Sequence, residues 1–253
     1  MTTRTKVWHD SNLAQPHHVA DKARRVKDMF AAIAPSYDLN NRVHSLWRDQ
    51  AWRRHAVMLA DICPGDVVLD VACGTGDLTL AFATAGVRQV IGVDFTLPML
   101  QLAGQKTVSQ SDHPLSDCRY CAGDAMALPI GSNCIDVVSI AFGIRNVTDP
   151  VTTLQQFHRV LRPGGRLLIL EFGLPNNRLL RAAYNMYFHH VLPRTAALLA
   201  RDRSGAYKYL PSSVNTFMER SDLLHLIRQA GFTNVTANPL TAGIAVIYHG
   251  FRK

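Results

Sequence analysis

The sequence predicts an α/β protein with a parallel sheet covered by helices on both faces. Between residues 66 and 171, short runs rich in Val and Ile alternate with segments whose apolar residues follow a helical period. Glycine or acidic residues follow several of these runs, at the sheet edge where ligands bind in open parallel sheets. The chain has 253 residues, 47% of them hydrophobic, which is enough to bury a large single core.

Composition excludes several classes of protein. No stretch approaches the roughly 20 apolar residues of a membrane helix, and Met1–Asp10 lacks the apolar region of a secretory signal. Five cysteines are too few for a disulfide framework in a chain of this length. We therefore expect a protein of a reducing compartment, the cytoplasm.

The first 60 residues predict two helices. Apolar residues at helical spacing predict a helix over 21–34, ending before Pro35. Residues 36–45 are polar and predict a loop or short turn. A second helix is predicted over 47–62, stopped by Pro64-Gly65.

The middle of the chain predicts the alternating core. The predicted strands are 66–72, 89–94, 118–122, 134–141 and 166–171, and the helices between them are 77–85, 97–105 and 150–161. Residues 107–117 are polar and predict a loop. Strands joined through helices form a parallel sheet with right-handed crossovers.

The alternation breaks at residue 174. Residues 179–200 predict one or two amphipathic helices, followed by a helix over 221–230 and strands over 232–239 and 243–249. We therefore divide the chain into an N-terminal helical cap (1–60), a core (61–173), a helical insertion or lid (174–210) and a C-terminal helix and strand pair (211–253) that completes the sheet.

Charge follows this division. The net charge of +8 separates into +5 for the cap, −4 for the core, +5 for the insertion and +2 for the C-terminal part. Basic flanks around an acidic core are compatible with nucleic acid, an anionic lipid surface or a solvated surface without a partner.

The strongest local motif is a strand, then Asp70-x-x-x-Gly74-x-Gly76, then a helix. Such glycines let a ligand approach the backbone and the free N–H groups of the helix start. A dinucleotide fingerprint would have a third glycine where Thr79 stands, which disfavours pyrophosphate binding. Asp94 and Asp124 close the next two strands. Each acid alone is more often a helix cap or a turn residue, but together they predict a nucleoside site.

This order of motifs resembles the class I S-adenosylmethionine-dependent methyltransferases over residues 60–173. The resemblance implies a Rossmann-like seven-stranded sheet whose last hairpin is reversed, with S-adenosylmethionine as cofactor. It implies that Asp70, Gly74, Thr75 and Gly76 surround the methionine end, that Asp94 holds the ribose, and that Asp124 and Ala125 meet the adenine.

Longer motifs are Tyr37-Asp-Leu-Asn-Asn-x-x-x-Ser45 with Trp52, Phe142-Gly-Ile-Arg-Asn-Val147, Arg159-Val-Leu-Arg-Pro-Gly-Gly to Glu171-Phe172, Tyr207-Lys-Tyr-Leu-Pro-Ser-Ser213, and Ala230-Gly-Phe232 to Gly243-Ile244. From about residue 20 to the C-terminus they resemble the UbiE/COQ5 family. The sequence departs from the family pattern at Asn40, His44, Asp49, Ala141, Gly173 and Ala242. The departures bear on the substrate pocket more than on the cofactor frame.

The resemblance implies C-methylation of a polyprenyl quinol ring. Demethylmenaquinol is the substrate that we favour, with 2-methoxy-6-polyprenyl-1,4-benzoquinol as the alternative. A ring carbon becomes nucleophilic once its neighbouring hydroxyl is deprotonated, so the site needs a group that removes or stabilises that proton. Arg145 is our candidate for stabilising a phenolate or orienting a water, Asn146 for orienting the quinol oxygen, and Tyr37 for covering the site. Arg145 could equally form a structural salt bridge, and Tyr37 could be a packing residue.

An isoprenoid tail places the substrate in a bilayer. Residues 179–200 have the pattern of a basic amphipathic surface helix, so we expect peripheral contact with an anionic membrane, on the inner face of a bacterial cytoplasmic membrane. The alternative is a lid helix whose apolar face packs on the core. A homodimer is compatible with the sequence.

Other classes of function fit the sequence less well. We expect no metal site, because Cys118-x-x-Cys121 has no second pair and the paired histidines lack ligand spacing. A nucleic-acid methyltransferase would show an Asn/Asp-Pro-Pro-aromatic run where Phe142-Gly-Ile-Arg-Asn146 stands. Acids at three strand ends disfavour a non-catalytic binding protein. We therefore expect no nucleic-acid partner.

Overall fold

A seven-stranded sheet organises the molecule. The computed structural model describes residues 7–109, 117–200 and 204–253. The strands lie in the order β3-β2-β1-β4-β5-β7-β6, and the first five of these are parallel while β7 runs antiparallel to both of its neighbours. Their bounds are β1 Val67–Val71, β2 Gln89–Asp94, β3 Asp117–Ala122, β4 Ile135–Ala141, β5 Leu161–Phe172, β6 Phe232–Leu240 and β7 Ala245–Arg252. The predicted parallel sheet with a reversed last hairpin is confirmed.

Helices cover both faces of this sheet and the ends of its strands. They are α1 Asp10–Leu13, α2 Lys22–Ile33, α3 Tyr37–Ser45, α4 Arg48–Leu59, α5 Asp77–Thr84, α6 Leu97–Ser109, α7 Pro150–Val160, α8 Arg178–Met186, α9 Leu192–Ala200, α10 Ala206–Asn215 and α11 Arg220–Gln229. A π-helical turn, Tyr187–Val191, joins α8 to α9. Helix α10 was not predicted, because Pro211 stands inside it and proline argues against a helix interior.

Two predicted loops were wrong in whole or in part. Residues 37–45 form α3, although they lack an apolar stripe, because their polar side chains bond to other elements: Arg42 to Asp77, and His44 to Tyr187. Helix α6 continues to Ser109, and Asp117 already belongs to β3. Residues 110–116 of the predicted 107–117 loop lie outside the described residues.

The central strands are buried because they are apolar on both sides. Every residue of β1 is buried, as are all residues of β4 before Ala141. One apolar cluster packs α7 and α11 against one face of the sheet, and a second packs α4 and α5 against the other. Strands buried in this way hold their carboxyl ends rigidly, which positions the site.

Helices from both basic flanks pack together over the strand ends. Val26 and Met29 of α2 share one buried cluster with Tyr184 of α8, with Phe188 of the π-helical turn and with Tyr209 of α10. Helix α4, by contrast, packs on the sheet through Trp52, Ala56 and Val57. The division of the chain into cap, core, insertion and C-terminal part at residues 60, 173 and 210 stays a prediction. The cap and the insertion nevertheless contact each other in the folded chain.

The turn between α3 and α4 has a strained backbone. Leu46 and Trp47 have φ angles of 52° and 60°, in the left-handed region. Each such non-glycine residue costs roughly 1–2 kcal/mol. Nevertheless, both side chains remain exposed rather than packed. Local packing therefore does not explain why apolar residues occupy this turn.

Within the described parts of the chain, no helix combines the length and apolar content needed to cross a bilayer.

Candidate active site

A cleft lies beyond the carboxyl ends of the parallel strands, and we call it the strand-end cleft. Its lining includes Gly74 after β1, Asp94 and Phe95 after β2, and Asp124 and Ala125 after β3. Ala141 and the following loop to Thr148 close its β4 side, and Ala23, Val26 and Phe30 of α2 cover it. The predicted convergence of strand ends is therefore present.

Asp94 is the most constrained acid of the strand-end cleft. Its Oδ2 accepts a hydrogen bond from the Gly74 N–H (2.9 Å), and its Oδ1 accepts one from the Thr96 N–H (2.8 Å). Burial raises the pKa of the Asp94 carboxyl, against the lowering effect of these bonds. Each carboxylate oxygen keeps a further lone pair, so two ribose hydroxyls could still donate to it.

The glycine loop itself is shaped by close approach. Gly76 has a φ of 82°, and a Cβ there would lie 2.9 Å from the Tyr120 hydroxyl, so only glycine fits. Thr75 does not line the strand-end cleft; its Oγ1 donates to Asp38 Oδ1 (2.6 Å). Of the predicted loop residues Gly74, Thr75 and Gly76, only Gly74 lines the cleft, and the contacts of Thr75 and Gly76 with the cofactor stay predictions.

Asp70 lies in the interior of the protein, outside the lining of the strand-end cleft. It is buried, and its carboxylate accepts hydrogen bonds from Thr79 (2.7 Å) on α5 and Ser139 (2.9 Å) on β4. Burial raises its pKa to about 6, although these bonds act in the opposite direction. Asp70 is not part of the cleft lining, and the implied contact with the methionine end stays a prediction. The structure shows Asp70 joining three elements.

Asp124 and Ala125 both line the strand-end cleft. The Asp124 side chain is exposed and its Oδ1 accepts the Met126 N–H at 2.9 Å. Asp124 is therefore a turn residue, which was one of the two alternatives (helix cap or turn residue) for an acid at a strand end. It also lines the strand-end cleft.

A second, larger cavity lies between α3, α4 and the α8–α10 region, and we call it the aromatic cavity. It encloses about 450 Å³, within the usual range of small-molecule sites. Its aromatic lining includes Trp52, Phe172, Tyr184, Tyr187 and Phe188. The predicted sheet alone gave no indication of this cavity, because it is built by both flanks.

The two spaces share a wall. Phe30, Tyr37 and Phe142 line both the strand-end cleft and the aromatic cavity. Tyr37 packs edge-on to Phe30, with ring centroids 6.0 Å apart, and burial raises the pKa of its phenol. Tyr37 therefore lies between the two spaces as a neutral side chain that packs on Phe30, and its role in covering the site stays a prediction.

Arg145 lines the aromatic cavity within a buried network. Its Nη1 donates to Glu171 Oε1 (2.7 Å) and to the Phe142 carbonyl (2.7 Å), and its Nε donates to Ser213 Oγ (3.3 Å). Its guanidinium also lies over the Phe172 ring at 5.2 Å. The structural salt bridge is therefore present, and Arg145 also belongs to the lining of the aromatic cavity.

Asn146 lies on the other side of the wall. It lines the strand-end cleft, its Nδ2 donates to the Phe142 carbonyl (3.1 Å), and its Oδ1 accepts from the Tyr209 hydroxyl (2.9 Å). Both ends of the amide are engaged by the protein. The prediction that Asn146 orients the quinol oxygen is untested, but the geometry shows it supporting the loop.

An ionic network that the sequence analysis missed ties α3 to the glycine loop. Arg42 donates to both Asp77 oxygens (3.1 Å each), and Lys106 of α6 pairs with Asp77 (2.6 Å) and Asp38 (2.7 Å). Burial would raise the pKa of Asp77, but Arg53, Lys106 and Arg42 outweigh it and lower the pKa. Asp77 opens α5 directly after Gly76, which is the sequence signal that could have identified it.

Lys22 is a second residue that the sequence analysis missed. It is buried on α2, and its Nζ donates to the carbonyls of Arg145 (3.1 Å) and Val147 (2.6 Å). Burial and the charge of Arg145 lower its pKa to about 8. Lys22 therefore joins the N-terminal helices to the loop that carries Arg145 and Asn146.

Metal-ligating side chains do not cluster in the described residues. In residues 7–109, 117–200 and 204–253, no group of three or more His, Cys, Asp or Glu residues is arranged to hold a metal ion.

The strand-end cleft fits an adenosyl group. There the Asp94 carboxylate would accept hydrogen bonds from ribose hydroxyls, and Phe95, Met99 and Ala125 would offer apolar surface to a purine ring. S-adenosylmethionine is the cofactor that matches this cleft.

Curated proteins similar to this chain are quinone-pathway methyltransferases. A demethylmenaquinone methyltransferase of Deinococcus radiodurans is 42% identical over 92% of this chain and 95% of its own length. The ubiquinone/menaquinone biosynthesis C-methyltransferase UbiE of Teredinibacter turnerae is 39% identical over 92% of this chain and 93% of its own length.

Solved structures and a family model complete the comparison. A SAM-dependent methyltransferase of Thermotoga maritima has a TM-score of 0.60 at 19% identity, covering 89% of this chain and 98% of its own. One from Aquifex aeolicus has a TM-score of 0.58 at 15% identity, covering 79% and 89%. Both show the same Rossmann-like fold. The model of the ubiE/COQ5 methyltransferase family matches residues 18–252, and the chain belongs to this family.

Proposed function

We propose that this protein transfers a methyl group from S-adenosylmethionine to a ring carbon of a polyprenyl quinol. The observation that carries the proposal is the wall of Phe30, Tyr37 and Phe142, which the strand-end cleft and the aromatic cavity share. The bound cofactor supplies a sulfonium methyl group that is already activated. The protein then has to align a carbon nucleophile with it and exclude water.

The aromatic cavity suits the quinol. Flat rings pack well against aromatic side chains, and Trp52, Phe172, Tyr184 and Phe188 provide such a surface. An apolar cavity of about 450 Å³ holds a bicyclic head group and the first part of an isoprenoid tail. Phe30, Tyr37 and Phe142, which line both spaces, would surround the place where the ring carbon meets the methyl group and keep water out of it.

Arg145 would stabilise the quinol in its reactive, deprotonated form. A guanidinium keeps its proton at neutral pH, so it serves as a fixed cation rather than as the base. Glu171, Ser213 and the Phe142 carbonyl hold it in one orientation. A preorganised cation in a water-poor cavity stabilises developing negative charge strongly.

Demethylmenaquinol is the substrate that we favour, with 2-methoxy-6-polyprenyl-1,4-benzoquinol as the second candidate. The names of the relatives include both pathways, and the relative from Deinococcus radiodurans, at 42% identity, is named for demethylmenaquinone alone. The decisive experiment offers the protein methyl-labelled S-adenosylmethionine with a short-chain form of each quinol. We expect label on the ring of the naphthoquinol. No label on either ring would reject the proposal, and label on the benzoquinol alone would reverse the substrate choice.

A tailed substrate also requires the protein to meet a bilayer, and we propose peripheral contact at the cytoplasmic face of the membrane. The first six residues of α8 are exposed and combine Leu179 and Leu180 with Arg178 and Arg181. Tyr184, Phe188 and Leu192 continue as a buried stripe that shares a cluster with Val26 and Met29 of α2, so this later part is not available to a membrane surface. Salt-sensitive cosedimentation with anionic vesicles is expected, and binding independent of salt and anionic lipid would contradict it. A homodimer stays a prediction.

A further inference from the structure

The turn between α3 and α4 presents apolar side chains to solvent without a packing reason. Leu46 is 81% exposed and Trp47 is 60% exposed. Both residues hold left-handed backbone angles, and the next residue, Arg48, is exposed as well. Strained, exposed apolar residues in a turn are a starting point for a hypothesis of function.

This turn lies at the edge of the aromatic cavity. Leu46 and Arg48 belong to the cavity lining, together with Tyr187 and Leu192 from the π-turn and α9. The His44 Nδ1 and the Tyr187 hydroxyl lie 3.0 Å apart and link the end of α3 to that opposite side. Trp47 is not part of the lining, so it extends outward from the place where the cavity ends.

We propose that Leu46 and Trp47 insert into the interfacial layer of an anionic bilayer, with Arg48 contacting lipid phosphates, so that the aromatic cavity opens onto the membrane. The tailed substrate in this inference rests on the proposed function. Membrane-interface anchors combine tryptophan and leucine, which enter the headgroup boundary, with arginine, which is attracted to anionic lipid. The insertion segment 174–210, which forms the opposite side, carries a net charge of +5, which complements anionic lipid.

A bilayer fits this turn better than a second copy of the chain does. A stable protein interface buries about 1,200–2,000 Å² in total. A tryptophan buries at most about 250 Å², so two apolar side chains on a turn are too few for an interface. They are enough for reversible attachment to a surface that also attracts basic residues.

Intrinsic fluorescence offers a direct test, because the other two tryptophans are buried. Trp8 is 1% exposed and Trp52 is 6% exposed. Vesicles of phosphatidylcholine and phosphatidylglycerol, with a brominated phosphatidylcholine as quencher, should therefore report mainly on Trp47, and the same measurement on Trp47→Phe gives the contribution of Trp8 and of Trp52, which lines the aromatic cavity. We expect a blue shift and quenching on addition of these vesicles. Unchanged emission under conditions in which the protein cosediments with the vesicles would overturn the proposal.

Substitution of Trp47 gives the second test. We expect Trp47→Ser to weaken vesicle binding about tenfold and Trp47→Phe to retain most of it. Met58→Ser is the matched control, because Met58 is 75% exposed on α4 and lies outside the aromatic cavity. Equal vesicle affinity of Trp47→Ser and Met58→Ser would contradict the proposal. A dimer that forms without lipid and that Trp47→Ser dissociates would contradict it as well, because Trp47 would then contact a second copy of the chain.

Activity separates this inference from the proposed function. Trp47→Ser should methylate a short-chain, water-soluble quinol like the unsubstituted protein, but should lose most of its turnover on a long-chain quinol in vesicles. Loss of activity on both substrates would reject the membrane role of Trp47. Absence of quinol methylation by the unsubstituted protein would reject the proposed function while leaving the vesicle-binding result intact.

Discussion

The strand-end cleft and the aromatic cavity adjoin each other but are built in different ways. The cleft takes its polar groups from consecutive strand ends, such as Gly74, Asp94 and Asp124, which are brought together by the order of the sheet. The cavity takes Tyr37 and His44 from one basic flank, Tyr184 and Phe188 from the other, and Arg145 from the core loop. The first depends on local chain geometry and the second on long-range packing.

This difference assigns the two spaces different tasks. Backbone N–H groups and a buried carboxylate give the cleft a rigid polar frame for a constant cofactor. The cavity is lined mainly by apolar side chains from several elements, which suits an apolar substrate. Substitutions on the two sides of the shared wall should therefore affect different kinetic parameters.

Substitution of Arg145 should give the largest effect and should be confined to the quinol side. We expect Arg145→Ala to lower turnover about 10²–10³-fold in single-turnover assays, because a developing phenolate loses its fixed cation. Binding of S-adenosylhomocysteine, measured by calorimetry, should change little because Arg145 is not part of the cleft lining.

A charge-neutral pair controls for folding. Loss of one partner of the buried Arg145–Glu171 pair also destabilises the fold, by about 3–5 kcal/mol. Arg145→Met combined with Glu171→Gln removes both charges and should recover much of that stability without recovering turnover. Near-normal turnover by this double variant would show that Arg145 has only a structural role.

Substitution of Asp94 should give the next largest effect, on the cofactor side. We expect Asp94→Asn to weaken cofactor binding about 10–150-fold, the range for losing hydrogen bonds to a charged group worth about 1.5–3 kcal/mol. Asp124→Asn is the control, because its side chain is exposed and mainly holds a turn, and it should have a smaller effect. A rise in the KM for the quinol equal to that for the cofactor would contradict the separation of the two spaces.

Lys22 should give the smallest effect, since it joins the two regions without lining either. Its pKa is lowered from 10.5 to about 8, so the folded chain loses this proton before the unfolded chain does. Between these values the unfolded chain holds more protons, and the free energy of unfolding should rise with pH, by at most about 3 kcal/mol.

Paired unfolding curves isolate this contribution. Urea unfolding of the unsubstituted protein and of Lys22→Met would be compared near pH 8 and near pH 10, and the difference between the two proteins assigned to Lys22. Identical pH dependence in both would mean that Lys22 titrates normally in the folded state.

Prediction from sequence succeeded where a local pattern decides the structure. The Val-rich run predicted a strand buried on both faces, and Val67–Val71 forms one in which every residue is buried. Prediction was wrong for α3, which has few apolar residues and is stabilised by Asp77 and Tyr187 from distant segments. No periodicity within residues 37–45 contains that information.

Local patterns in the sequence were enough to predict the sheet, the glycine loop and the acids at the strand ends, because consecutive parallel strands bring their carboxyl ends to one edge. The folded chain was needed to show that neither Asp70 nor Thr75 lines the strand-end cleft, that Tyr37 lines both spaces and that Arg145 lines the aromatic cavity. The physical reason is that the direction of a side chain depends on what packs against it. For the aromatic cavity, those neighbours come from segments more than 100 residues apart, as the His44–Tyr187 contact shows with a separation of 143.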